Sequence, residues 1–117
     1  PGEPGSVMTV NFQLNGQEFT ALNGGPVFNF SEAISFVLNC DSQAEVDELW
    51  EKLSSGGEKG QCGWLKDRFG VSWQVVPVEL FRLINDPDPD IAKRVSEAML
   101  KMGKLELDVL RKAHQGV

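Results

Sequence analysis

A chain of 117 residues with 41% hydrophobic and 24% charged residues suits one globular domain able to bury a core. Its formal net charge of −6 argues against nucleic acid or an anionic membrane surface as a partner, because both recruit Lys and Arg. No apolar run approaches the roughly 18 residues of a spanning helix and no signal-peptide pattern is visible, so no membrane partner is expected. The two cysteines, Cys40 and Cys62, lie far apart without metal or redox spacing and read as reduced core residues of a cytoplasmic protein. The opening Pro1-Gly2-Glu3-Pro4-Gly5 reads as the interior of a loop, so a part of the fold is expected to precede it.

In chain order, Val7–Leu14 alternates Met8, Val10, Phe12 and Leu14 with Thr9, Asn11 and Gln13. Asn15-Gly16 then signals a two-residue type I′ hairpin turn. That turn pairs Leu14 with Gln17, Phe12 with Phe19 and Val10 with Ala21, which gathers the apolar side chains on one face. Asn11, Gln13, Glu18 and Thr20 fall on the other, and a one-residue slip would destroy the sorting. Asn23–Ser31 is a loop. Ala33–Cys40 is the next strand, with Ile34, Phe36 and Leu38 apolar and Ala33, Ser35, Val37 and Asn39 on a smaller, more polar face. Ser42 and Glu45 make a capping box, worth on the order of 1 kcal/mol, for a helix that buries Val46, Leu49, Trp50 and Leu53. Gly56-Gly57 ends it. In Gln61–Pro77, the tight turn Asp67-Arg68-Phe69-Gly70 uses Gly70 for its positive φ, the β-rich Val71–Val76 follows, and Pro77 ends the strand. The order is therefore strand, helix, strand, strand. The tail is helical: Val78–Ile84; a helix capped by Asp88 and opened by Pro89 that buries Ile91, Val95 and Met99 and is closed by Gly103; and a last helix over Leu107–His114.

The runs Phe19–Pro26, Glu32–Phe36, Gly60–Asp67 and Phe69–Pro77, with Asp86–Pro89 and Ala98–Met102 in the tail, resemble the PhnB-like family. That family carries a 3-demethylubiquinone methyltransferase label and belongs to the vicinal oxygen chelate superfamily of glyoxalases, bleomycin-resistance proteins and dioxygenases. The resemblance implies an α+β fold of βαβββ modules, each a curved sheet with a helix on its convex side and a ligand cavity on its concave side. Residues 7–22 would end an incomplete first module, 33–76 would form the second, and 78–114 a helical tail. Phe12, Ile34 and Trp73 would then meet helices, while Thr20, Ser35 and Gln74 would line the cavity.

Superfamily enzymes hold a divalent metal on cavity-facing strand positions, where it acts as a Lewis acid or activates oxygen. The position four residues after the turn glycine falls here on Gln74, a neutral carbonyl ligand in place of glutamate. The position usually filled by histidine falls on Ala33 or Ser35, and the sole histidine, His114, lies in the tail. A divalent metal stays an open expectation, with Gln74 its candidate ligand. Gln74 could instead bond neighbouring backbone. Glu18 would act as a general base if buried, and with Thr20 would otherwise sit on a solvated face. Trp64 could stack on a flat substrate or pack in the core. No glycine-rich strand-to-helix turn of the kind a Rossmann-like S-adenosylmethionine site needs is present, so the sequence does not support methyl transfer. Two readings stay open: an enzyme of this superfamily binding a small molecule with adjacent oxygens, or a non-catalytic small-molecule binding or sequestering protein without metal. A homodimer is expected for either, since the resemblance implies cavities completed across subunits and the sheet edges would otherwise be exposed.

Overall fold

In the computed structural model, which describes residues 2–117, Asn15 and Gly16 take φ values of 50° and 80°. Positive φ at both positions is what a two-residue hairpin turn demands, and the hairpin forms in the expected register. Strands β1 (Thr9–Leu14) and β2 (Gln17–Leu22) pair Phe12 with Phe19 and Val10 with Ala21. The first strand begins at Thr9 rather than Val7, because beyond it the ladder gives way to a single Asn23 N–H donated to Met8 O at 2.8 Å. The apolar face docks mainly through aromatic rings, with Leu14 packed against the cluster that holds Val46 and Trp50. Phe12 stacks on Phe19 at 5.5 Å, Phe19 meets Phe36 edge-on at 5.4 Å, and Phe36 lies 5.2 Å from Trp73. Phe12 itself stays 41% exposed, so the expected helix contact is not made.

β3 (Ser35–Cys40) starts two residues later than its sequence pattern suggests. Ala33 donates its N–H to Ser31 Oγ, and Ile34 is 75% exposed, so the inward side of the strand is carried by Leu38 and the buried Cys40, with Phe36 only partly covered. The cap of α1 (Gln43–Ser54) forms as expected: Ser42 Oγ accepts from Glu45 N–H at 3.2 Å. Glu45 in turn accepts from Asp41 N–H at 2.7 Å, one residue before the cap. Val46 and Trp50 are the buried anchors of this helix.

An additional strand, β4 (Glu58–Lys59), follows; two charged residues carry no periodicity, so the pattern could not show it. β5 (Trp64–Lys66) and β6 (Ser72–Pro77) complete a four-stranded sheet in the order β3-β6-β5-β4, in which β3 is parallel to β6 and the other pairs are antiparallel. In the β5–β6 turn Gly70 has φ +89° and donates to Asp67 O at 3.0 Å. The Asp67 carboxylate accepts from Phe69 and Val71 N–H on one oxygen and from Trp73 Nε1 on the other, at 2.9, 3.0 and 3.0 Å.

The tail folds as α2 (Glu79–Ile84), α3 (Pro89–Leu100) and α4 (Leu107–Gln115). Asp88 caps α3, accepting from Asp90 N–H at 2.9 Å, and Pro89 opens it. Its far end closes at Lys101, whose N–H returns to Ala98 and Met99 O, and not at Gly103, whose carbonyl accepts from Gly63 N–H. Two apolar clusters result. One joins Cys40, Leu65, Trp73 and Val75 of the sheet to Val46 and Trp50 of α1; the other joins Val76 to Leu80, Leu83, Val95, Leu105 and Leu110 of the tail. The Gln43 side chain ties them, donating to Leu105 O at 2.9 Å and accepting from Leu107 N–H at 2.7 Å.

Gly63, at φ +83°, sits where these parts converge: a Cβ there would lie 2.9 Å from Leu105 Cδ1 and 3.0 Å from Val75 O. Gly63→Ala therefore combines backbone strain with a collision against main chain. It is expected to lower unfolding stability by roughly 1–3 kcal/mol in urea titrations; a variant as stable as the parent would refute this packing.

Candidate functional site

Alternation along β6 decides which side chains are available for chemistry. Trp73 and Val75 enter the α1 cluster and Val76 enters the tail cluster, so Ser72 and Gln74 lie on the Val76 face, where the tail core takes in neither. The register places two rows across this open face. One runs Ser35, Ser72, Lys66, Glu58; the other runs Val37, Gln74, Trp64. The sheet thus brings together three of the residues expected to bind ligand: Gln74 donates through Nε2 to Ser35 Oγ at 2.9 Å, and Trp64 is the cross-strand partner of Gln74.

Beside them lies a cavity of about 150 Å³ whose walls include Trp64, Lys66, Ser72, Gly60, Glu58 and Glu32. Lys66 forms an ion pair with Glu32 of the loop before β3. The hydrogen bond between the two holds the Glu32 carboxyl below the usual carboxylate range and lifts the Lys66 ammonium above the usual lysine range. Ser72 is 1% exposed, and its hydroxyl is the one buried side-chain polar atom without a hydrogen-bond partner among the described residues. A buried hydroxyl left unpaired is costly, and no protein atom supplies a partner for this one.

Glu18 and Thr20 are not part of this arrangement. They stand on the separate two-stranded sheet, with Asn11 and Gln13, around a hollow of about 270 Å³ that shares no lining residue with the cavity beside Ser72. Although larger, this hollow has exposed strands for walls, and the Thr20 hydroxyl is already bonded to Asn11 Oδ1 at 2.8 Å. Glu18 is exposed, so the burial that a general base would require is not met.

The donors facing the sheet do not make a divalent-metal centre. Gln74 and Ser35 offer only neutral oxygens, neither with the charge that hard cations select, and the Ser35 oxygen already accepts from Gln74 Nε2. Among the described residues no group of three His, Cys, Asp or Glu side chains is close enough to hold an ion. His114 is engaged with Asp86 in the tail, 2.8 Å away. Lys66, Ser72 and Glu32 were not singled out from sequence. Ser72 shares the parity of Gln74, which was a usable signal; the Glu32–Lys66 pair joins a loop to a strand and has none.

The arrangement defines an α+β protein whose sheet carries a helix on one face and a polar, partly open surface on the other. The chain belongs to the family described as 3-demethylubiquinone-9 3-methyltransferase, whose model matches residues 1–76. It is similar to a Bacillus cereus PhnB protein provisionally labelled 3-demethylubiquinone-9 3-methyltransferase, at 33% identity and a TM-score of 0.59, covering 65% of this chain and 68% of that one. It is also similar to the Pseudomonas aeruginosa protein PA1353, at 26% identity and a TM-score of 0.52, covering 61% of this chain and 62% of that one. The match thus spans about two thirds of the first neighbour and less of the second. No curated protein matches significantly. The PhnB-like resemblance read from the sequence is borne out. Among the described residues no helix is long and apolar enough to cross a membrane.

A hydroxyl kept buried without a partner lowers stability in the free protein. Ser72→Ala is expected to raise the unfolding free energy by roughly 1 kcal/mol, read by urea denaturation without ligand. A clear loss of stability would show that Ser72 has a structural bonding role after all.

Proposed function

We propose that this chain is a small-molecule binding protein of the vicinal oxygen chelate type, with the open face of the four-stranded sheet as its site. Residues 33–76 would form one βαβββ module and residues 7–22, the β1–β2 hairpin, the close of another. The observation that carries the reading is the unpartnered Ser72 hydroxyl at the wall of a cavity, beside the Gln74–Ser35 bond and the half-buried Trp64. Binding without a metal is favoured over metal-assisted catalysis because Gln74 brings no charge and no group of three His, Cys, Asp or Glu side chains stands near it among the described residues. The methyltransferase label of the family is not carried over. β3 enters α1 through Asp41-Ser42, without the glycines that bring backbone against a bound nucleoside cofactor. The free thiols of Cys40 and Cys62 support a reducing, cytoplasmic location.

The test is a titration of the 15N-labelled chain with a library of small aromatic and polar fragments. Expected are shifts confined to the amides of Ser35, Ser72 and Gln74 and the indole of Trp64. Shifts that cluster instead around Asn11 and Thr20 would move the site to the hairpin. Parallel addition of zinc is expected to leave Gln74 unmoved; saturable one-to-one shifts there would restore the metal-assisted enzyme.

We also propose a homodimer. The radius of gyration is 17.4 Å, against about 13 Å for a compact chain of this length. Phe28, Phe30, Ile34 and Val27 are each more than two-thirds exposed. One edge of the larger sheet, β3, is unpaired among the described strands. Light scattering during size-exclusion chromatography is expected to give twice the chain mass of 12.9 kDa. A monomer across micromolar concentrations would reject the dimer.

A further inference from the structure

Resting on the binding reading above, we infer that the ligand carries a carboxylate that binds Lys66 and Ser72, and that Glu32 occupies this place until the ligand arrives. Three features of the cavity lead to this. Lys66 is the cation that the strand register places on the open face; Lys59 also lines the cavity, but it has the opposite parity and its ammonium is bonded to Glu51 of α1 at 3.0 Å. The Ser72 hydroxyl, cross-strand partner of Lys66, is buried and unbonded, free to donate to a second oxygen of the same group. A carboxylate is already held by Lys66, and it comes from a segment outside regular structure, whereas Lys66 and Ser72 sit on paired strands.

The exchange is electrostatically neutral at Lys66, one carboxylate replacing another. Glu32 is 59% exposed, so its release into water meets little resistance. Glu58, at the end of the row and largely exposed, opposes an anion, and solvent screening weakens that opposition. Trp64 offers an apolar wall to a flat group attached to the carboxylate. A volume of about 150 Å³ is small beside the roughly 300–1,000 Å³ of sites for drug-sized ligands, so the occupant is a small acid or the acidic end of a longer molecule.

The experiment compares benzoate with its uncharged analogue benzamide, by NMR titration of the parent chain and of Glu32→Gln, Ser72→Ala and Lys66→Gln. Removing the resident carboxylate is expected to tighten benzoate about threefold to fivefold and leave benzamide unchanged, the difference an exposed ion pair supplies. Lys66→Gln is expected to abolish the preference for benzoate, and Ser72→Ala to weaken benzoate severalfold in a chain that folds normally. Unchanged or weaker benzoate binding in Glu32→Gln, or an equal gain for benzamide, would overturn the inference while leaving a small-molecule site beside Trp64 in place. Failure of both probes to bind at millimolar concentration would overturn the inference and count against the binding reading as well.

Discussion

The pairing of β3 with β6 is the contact from which the rest of the chain takes its arrangement. The strands lie more than thirty residues apart, run parallel, and hold six residue pairs in register from Ser35–Ser72 to Cys40–Pro77. Parallel strands cannot be joined by a tight turn; the crossover must climb back over one face, and α1 does so with Val46 and Trp50 against the sheet. Because the crossover covers one face alone, the other takes the tail at its Val76 end and stays uncovered by any helix at its Ser72 end. The same register places Ser35 within reach of Gln74 and brings Ser72 beside Lys66. Slipping it by one residue would send Trp73 and Val75 to the polar side and Gln74 into the α1 cluster, exchanging every apolar and polar partner at once.

Precision at the open face comes from groups that are not on it. Asp67 saturates its carboxylate with two backbone N–H groups of its own turn and with the indole of Trp73, which fixes β5 against β6 at the end where Lys66 and Ser72 stand. At the other end, Gly63 admits Leu105 and the Val75 carbonyl so closely that the tail and the start of β5 form one body. The Gln43 amide bonds main chain sixty-four residues away and joins the first turn of α1 to α4. Side chains borne on strands held in this way vary little in position. Glu32, borne on a loop, is the one member of the set that no strand pairing holds.

What could be read in the sequence follows from the range of the forces involved. The hairpin was fully legible, register included, since Asn15-Gly16 and the alternation around it are local and act together. So were the Ser42 cap, the Asp67–Gly70 turn and the Asp88-Pro89 helix start, each set by side chain meeting backbone within four residues. Misreadings arose where local preference met tertiary context. Ile34 has the right character for a strand but is drawn into the turn that positions Glu32. Gly103 looks like a helix stop but serves as an acceptor for Gly63. β4 is held entirely by its neighbour's hydrogen bonds and has no signature of its own. At the site, the pairing of Gln74 with Ser35 was partly legible through period-2 alternation and the family resemblance. The Lys66–Glu32 pair and the empty valence of Ser72 depend on which strands neighbour one another, and one-dimensional pattern does not carry that.

The overall charge of −6 would by itself argue against an acidic ligand, and the geometry explains why it need not decide the matter. At physiological ionic strength the field of distant carboxylates decays over about 8 Å, so the chain's total governs approach more than contact. Contact is governed by the atoms on the cavity wall. There the Lys66 ammonium stands beside a hydroxyl that is buried and has no partner among the described residues. A protein selected for stability alone would place Ala or Val at that point of β6, next to Trp73 and on the same face as Val76. In the reading proposed above, a serine at this point costs stability and supplies a donor for the bound carboxylate beside Lys66.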